Sequence, residues 1–385
     1  MIFSEPVYID EEHLFAVAGA PIKKKDIERL ESMDILVLET DGKAIMPDVR
    51  IEKKEAESKK GGKDEKTDKK ANPSVISLTE VQENAGVYRA YVDLIERLDN
   101  VFAEISAGVS TEARSIDNIT GRLLQAVRDQ RDSVIGYILG GEVSGHEMAK
   151  SSVNTAILSA LIATELKQPN HKVMQAVTGA LLHDIGMLRL PSDLVSKKGG
   201  LSASELQRMH AHPLYAYKIT TKELLYPEDV GVIVLQHHER WDGEGYPRRL
   251  SGGAIDMGAR IVSVADAFEA MVSKKPYRNS MIGYQAMKNL LSDNSRRFDP
   301  DVLKAFIQTM GIYPIGSIIL LNNGALARVA EVQGAAPLRP KIRILIDEFG
   351  KVFKQDDGEI IDLLSDKHLF IARAVDPKDV AHKHA

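Results

Sequence analysis

The sequence predicts a mainly α protein: a helical core flanked by a small N-terminal α/β module and a β-rich C-terminal segment. Three observations carry this. Apolar residues recur at three- and four-residue spacing through most of the middle of the chain, as amphipathic helices require. After Tyr313 the pattern changes to short β-rich runs bounded by Gly, Asn and Pro. An abrupt change of composition near residue 48 sets the first segment apart. At 385 residues, with 44% hydrophobic and 27% charged residues, the chain has the make-up of a folded protein. At about 150 residues per domain, that length suggests two to three domains.

Taken in order, residues 1–48 read as the α/β module. PVYID and LFAVAG form a hairpin, KKKDIERLESM a helix and DILVLET a returning strand. Residues 49–76 read as a charged flexible linker. Positions 51–71 hold eight lysines and six acidic residues with a paired glycine, too little apolar surface to offset the entropy of ordering the chain. Residues 77–119 read as a connecting helix region. There Val87, Tyr88, Tyr91, Val92, Leu94, Ile95, Leu98, Val101, Phe102 and Ile105 mark one apolar face, suited either to a homodimer through residues 77–105 or to packing within a helical domain. The core proper is read as residues 120–315, with helices over LLQAVRDQRDSVIGYI, SSVNTAILSALIATEL, KVMQAVTGALLHDIG, ASELQRMHAH, VGVIVLQHHER, ARIVSVADAFEAMVS and YQAMKNLLSD. Residues 316–385 supply the strands GSIILLNN, LARVAEV, KIRILID and FIARAV.

Composition narrows function. A net charge of −5 argues against a dedicated DNA or RNA binder, which usually carries a basic surplus. With no cysteine, disulfides and thiolate metal sites are excluded, so any metal is held by histidine, carboxylate and water. No apolar run reaches the roughly 18 residues of a membrane span, and the N-terminus lacks a signal peptide's pattern, so a cytoplasmic protein without membrane insertion is expected.

The histidines are placed unusually. His183 and Asp184 end an apolar helix, His212 precedes a proline, His237 and His238 are adjacent on another helix, and Asp266 interrupts ARIVSVADAF. Singly, each has a structural explanation. Together they put ionisable groups on the apolar faces of several helices, where unpaired burial is expensive and shared metal coordination satisfies them. Nitrogen and carboxylate donors without sulfur suit Fe, Mn, Zn or Ni, and six are too many for one open site. Two metals sharing a hydroxide nucleophile would suit phosphate ester cleavage.

HDIG at 183–186 and HHERWDGEGYP at 237–247, followed by KKPYR and RRFDP, resemble the HD-GYP family of cyclic di-GMP phosphodiesterases over roughly residues 120–315. The resemblance implies a helical HD-superfamily core with a di- or trinuclear centre, commonly of iron or manganese, that hydrolyses cyclic di-GMP to pGpG or GMP. By position it makes His183, Asp184, His212, His237, His238 and Asp266 the dinuclear ligands, with Asp184 bridging and catalytic. Glu147 corresponds to a carboxylate of trinuclear members. Tyr246, Lys275 and Arg278 correspond to substrate contacts.

Two positions depart from the pattern. Ser151 stands where the family has a metal-binding histidine, and Met187 where it has the lysine of HDxGK. Ser151 removes a ligand from the third metal site, so two metals are expected rather than three. His146 lies about 140° around the helix from Ser151 and does not replace it. Two functions remain open at this point. One is a working phosphodiesterase; the other is a catalytically silent cyclic di-GMP receptor that tolerates both losses.

Overall fold

The computed structural model describes residues 2–3, 7–10, 13–16 and 44–45 near the N-terminus. It further describes 85–376 apart from 110, 141–144, 198, 274–282, 293–295 and 355–356. The chain divides into two compact units, Met1–Lys70 and Ala71–Ala385. In the first, β2 (Val7–Asp10) and β3 (His13–Ala16) pair antiparallel, and β1 (Ile2–Phe3) pairs antiparallel with β4 (Ala44–Ile45). The hairpin falls on the expected segments. The helix expected over KKKDIERLESM, the strand DILVLET and the linker 49–76 lie outside the described residues.

The second unit opens with α1 (Ala85–Ser106), whose Tyr91, Leu94, Ile95, Leu98, Val101, Phe102 and Ile105 are all buried. These side chains belong to the same hydrophobic core as the helices that follow, and α1 lies against α2 and α4. Of the two uses open to this apolar face, packing within a helical domain is the one seen over Ala85–Ser106.

Helices α2 (Ala113–Asp129) and α3 (Arg131–Gly140) replace the single helix expected there. The break is at Gln130, which leaves helical geometry (φ −140°, ψ 43°) while its N–H still bonds Ala126 O. Helix α4 (Glu147–Glu165) is buried nearly all round, its small polar residues as well as its apolar ones, packed by α1, α5, α10 and α12. Helix α5 (Asn170–Leu182) is followed by a 3₁₀ turn (Ile185–Arg189), α6 (Ser192–Val195), α7 (Ala203–Met209) and α8 (His212–Lys218). A capping box starts α7, Ser202 accepting from Glu205 N–H while the Glu205 carboxylate accepts from Ser202 N–H. A π turn (Ile219–Glu223) leads to α9 (Glu228–Gln236). Then come α10 (Met257–Val272), α11 (Gly283–Ser292) and α12 (Pro300–Met310). The last was not foreseen, although Asp299 accepting from Asp301 N–H with Pro300 behind it is a strong helix start.

Beyond α12 the chain forms one antiparallel five-stranded sheet in the order β8-β7-β6-β5-β9. Its strands are β5 (Ile318–Leu321), β6 (Leu326–Glu331), β7 (Lys341–Ile346), β8 (Ile360–Asp362) and β9 (Ile371–Ala374). Alternate residues of β6 point inward, and Ile319, Leu321, Ala327, Val329, Ile342, Ile344 and Leu363 make a core separate from that of the helices.

Candidate metal centre

The site is assembled at helix ends. His183 caps the C-terminus of α5 and Asp184 begins the turn after it. His212 opens α8, His237 caps α9 with His238 next to it, and Asp266 comes from within α10. Gly186 makes this convergence possible. A Cβ there would collide with the His212 carbonyl oxygen and the Ala216 nitrogen, so only glycine lets the turn carrying His183 and Asp184 lie directly on α8.

Three imidazoles are oriented alike. Nδ1 of His183 lies 2.7 Å from Ala180 O, that of His212 2.9 Å from Met209 O, and that of His237 2.7 Å from Val234 O. A carbonyl only accepts, so each Nδ1 carries a proton, and in the neutral imidazole Nε2 is left to offer its lone pair to the centre. Nε2 of His212 and His237 are 3.4 Å apart, a separation at which two lone pairs repel unless a cation lies between them. Nε2 of His183 is buried without a hydrogen bond. These are the marks of a cation site.

The carboxylates face both ways. Asp184 Oδ1 lies 3.3 Å from His212 Nε2 and 4.0 Å from His237 Nε2, while its Oδ2 lies 3.4 Å from His183 Nε2. Asp266 Oδ1 approaches His183 Nε2 from another side at 3.6 Å. One donor atom from each of Asp184, His212, His237 and His238 falls within 4.8 Å of the others. The nitrogen and oxygen donors fit a divalent metal. His183 and Asp266 stand across Asp184 from His212 and His237, so the donors divide into two groups joined by one carboxylate.

The electrostatics fit cation binding. Burial, then His238, His183 and His212, hold His237 well below the ordinary histidine range; burial and His212 do the same to His238. Both are neutral and free to ligate. Burial opposes charge on His183, but Asp184 and Asp266 outweigh it and raise its affinity for a proton. Burial opposes charge on Asp184 too, yet the surrounding histidines keep it ionised, well below the usual carboxylate range. His183, His212 and His237 are sealed from water, whereas the Asp184 and Asp266 side chains are 25% and 20% exposed. The open side is therefore the side of the carboxylates.

Tyr246 and the loop before it form part of the rim. Buried Glu239 accepts from the backbone N–H groups of Arg248 (2.6 Å) and Leu250 (2.9 Å), closing the loop. Tyr246 N–H reaches His238 O at 3.2 Å, and Gly245 leaves room for this, since a Cβ would strike Arg240 N. The Tyr246 ring lies 4.7 Å from His238 and stacks on His210 at 3.8 Å and 13°. Burial, then Asp184 and Asp266, raise its pKa, so the phenol stays protonated and able to donate. The Arg260 guanidinium lies 5.4 Å from the Trp241 ring centroid.

Not every expected residue joins the cluster. Glu147 is exposed on the first turn of α4 and lies outside it. Ser151 donates to Glu269 at 2.6 Å, and His146 pairs its Nδ1 with Asp99 at 2.8 Å. Lys275 and Arg278 lie outside the described residues. Sequence reasoning passed over Glu239, Glu269, His210 and Arg297. The first two had a signal: each is a carboxylate inside an apolar or motif-bearing helical stretch, where an acid requires partners.

Residues 142–302 match the family described as HD domain, and residues 318–383 match the KOW domain associated with HD domain. The chain is 29% identical over 229 residues to cyclic di-GMP phosphodiesterase PdeB of Borreliella burgdorferi, covering 60% of each chain. It is 33% identical over 205 residues to cyclic di-GMP phosphodiesterase PA4108 of Pseudomonas aeruginosa, covering 52% of this chain and 48% of that one. With a cyclic di-GMP phosphodiesterase of Thermotoga maritima it shares 36% over 152 residues, 39% of this chain and 41% of the other. The chain thus spans about half the length of the curated relatives it matches. Among the described residues no helix is long and apolar enough to cross a membrane.

Proposed function

We propose, from the premise that residues 142–302 are an HD domain of the HD-GYP kind, that this protein is a cyclic di-GMP phosphodiesterase yielding pGpG or GMP. The observation that carries the reading is the set of imidazole lone pairs turned on one two-faced carboxylate, Asp184. Divalent metals, iron or manganese, bound there would supply Lewis acidity and activate water for attack on a phosphodiester. His183, Asp184 and Asp266 would hold one of them, and Asp184, His212, His237 and His238 the other.

The chain's own groups supply positioning. The backbone carbonyls fix the three imidazoles before any ligand arrives, so little reorganisation is needed on binding. Tyr246 keeps its proton beside the centre and donates to an anionic oxygen. Lys275 and Arg278 belong to this proposal as phosphate and guanine contacts, and the protein is placed in the cytoplasm, where this nucleotide acts.

The test uses protein purified without oxygen and loaded with manganese or iron. Conversion of cyclic di-GMP to pGpG or GMP is the expected result. Binding without turnover, repaired by Ser151→His with Met187→Lys, would favour the receptor reading. Neither binding nor turnover would overturn both.

A further inference from the structure

We propose that Arg297 is a substrate-binding residue whose guanidinium takes a phosphate of the phosphodiester at the rim of the centre. The proposal rests on the function above. Two of the arginines on and beside this loop are already engaged. Arg240 is paired with Asp242 (2.6 Å), and Arg260 with Asp299 (3.0 Å). Arg248 and Arg249 are exposed. Arg297 is half-buried, and among the described residues no carboxylate lies within ion-pair distance of it. A guanidinium cannot shed its charge and presents a planar fork suited to phosphate oxygens. A partly desolvated one without a counter-ion is therefore poised for an anion brought from outside.

Its placement points to the open side. The Arg297 carbonyl accepts from Trp241 N–H at 2.9 Å, which ties this residue to the loop that carries Tyr246. Its guanidinium carbon lies 5.0 Å from the Phe298 ring centroid, which gives the stem a fixed apolar floor. That loop carries Tyr246 to the rim, where its ring lies 4.7 Å from His238.

The experiment measures steady-state kinetics and metal content of metal-loaded, full-length wild type, Arg297→Ala and Arg297→Lys. Cyclic di-GMP and bis(p-nitrophenyl) phosphate, a simple phosphodiester, are the two substrates. We expect Arg297→Ala to raise KM on the order of 10- to 100-fold with unchanged metal content and melting temperature, and Arg297→Lys to fall between. Unchanged KM for both substrates overturns the inference, as does loss of metal, which would make Arg297 a support of the loop. If wild type cleaves only the simple ester and Arg297→Ala raises that KM, the inference stands while the cyclic di-GMP reading falls. If wild type cleaves neither, both fall.

Discussion

Asp184 is the residue on which the centre depends, because its two oxygens face different histidines. Replacing it by alanine removes the link between the two donor groups and uncovers buried lone pairs. Asp184→Ala is expected to lose metal and activity together, checked by elemental analysis beside turnover. The same analysis on wild type is expected to give about two metals per chain. The Ser151 hydroxyl is committed to Glu269, and Glu147 stands apart; three tightly held ions would contradict this. Glu269 sets up a further expectation. Fully buried, it accepts from Ser151, Asn154 and Ser273, and Asn154 in turn accepts from Tyr91 of α1 at 2.7 Å. Truncation removes the acceptor that these donors share, and a buried donor that finds no other acceptor costs about 1–3 kcal/mol. Glu269→Ala should therefore lower the denaturation midpoint markedly, and Glu269→Gln, which retains an acceptor oxygen, should lower it less. Equal stability of all three proteins would show the network to be slack.

Elements are positioned by a few close approaches that the sequence shows only as glycines. Gly186 lets the turn after His183 touch α8, whereas Gly121, on an exposed face of α2, has nothing near it. Gly186→Ala must push α8 away, and with it His212, so both stability and metal content should drop. Gly121→Ala should instead stabilise by about 0.5–1 kcal/mol through helix propensity. Thermal melts with metal analysis on the pair check the contrast; similar behaviour would mean that the Gly186 contact relaxes at little cost. Why parts of this fold were legible follows from the same physics. The 3.6-residue period located α4, α5, α9 and α10, because their faces are long and apolar. It missed the break at Gln130, since nothing in the polar run RDQRD distinguishes a bend from an exposed helical turn. It missed α12 although the start signal at Asp299 was present. The six candidate ligand positions were singled out through motif resemblance and the cost of burying charge. Arg297 was not, because an arginine's lack of a counter-ion is a property of three dimensions.

At the scale of the molecule, the helical unit does not begin where the motifs begin. The HD domain match starts at residue 142 and the motif-based boundary was set at 120, yet the core starts in α1. Seven of its apolar side chains are at most 5% exposed and share one cluster with the helices that carry the candidate metal site. At about 1.5–3 kcal/mol for each large apolar side chain removed from water, α1 contributes on the scale of an entire domain's net stability of about 5–15 kcal/mol. Two polar ties run the same way: Tyr91 reaches Asn154 on α4, and His146 reaches Asp99. Removal of α1 would expose the faces of α2 and α4 that it covers and leave Asn154 without its partner. A fragment of residues 120–315 is therefore expected to be insoluble or molten, whereas one of residues 77–315 should melt cooperatively and retain its metals. Comparison of the two by near-ultraviolet circular dichroism and metal content decides the point. A folded, metal-binding 120–315 fragment would show that α1 is an accessory helix rather than part of the core.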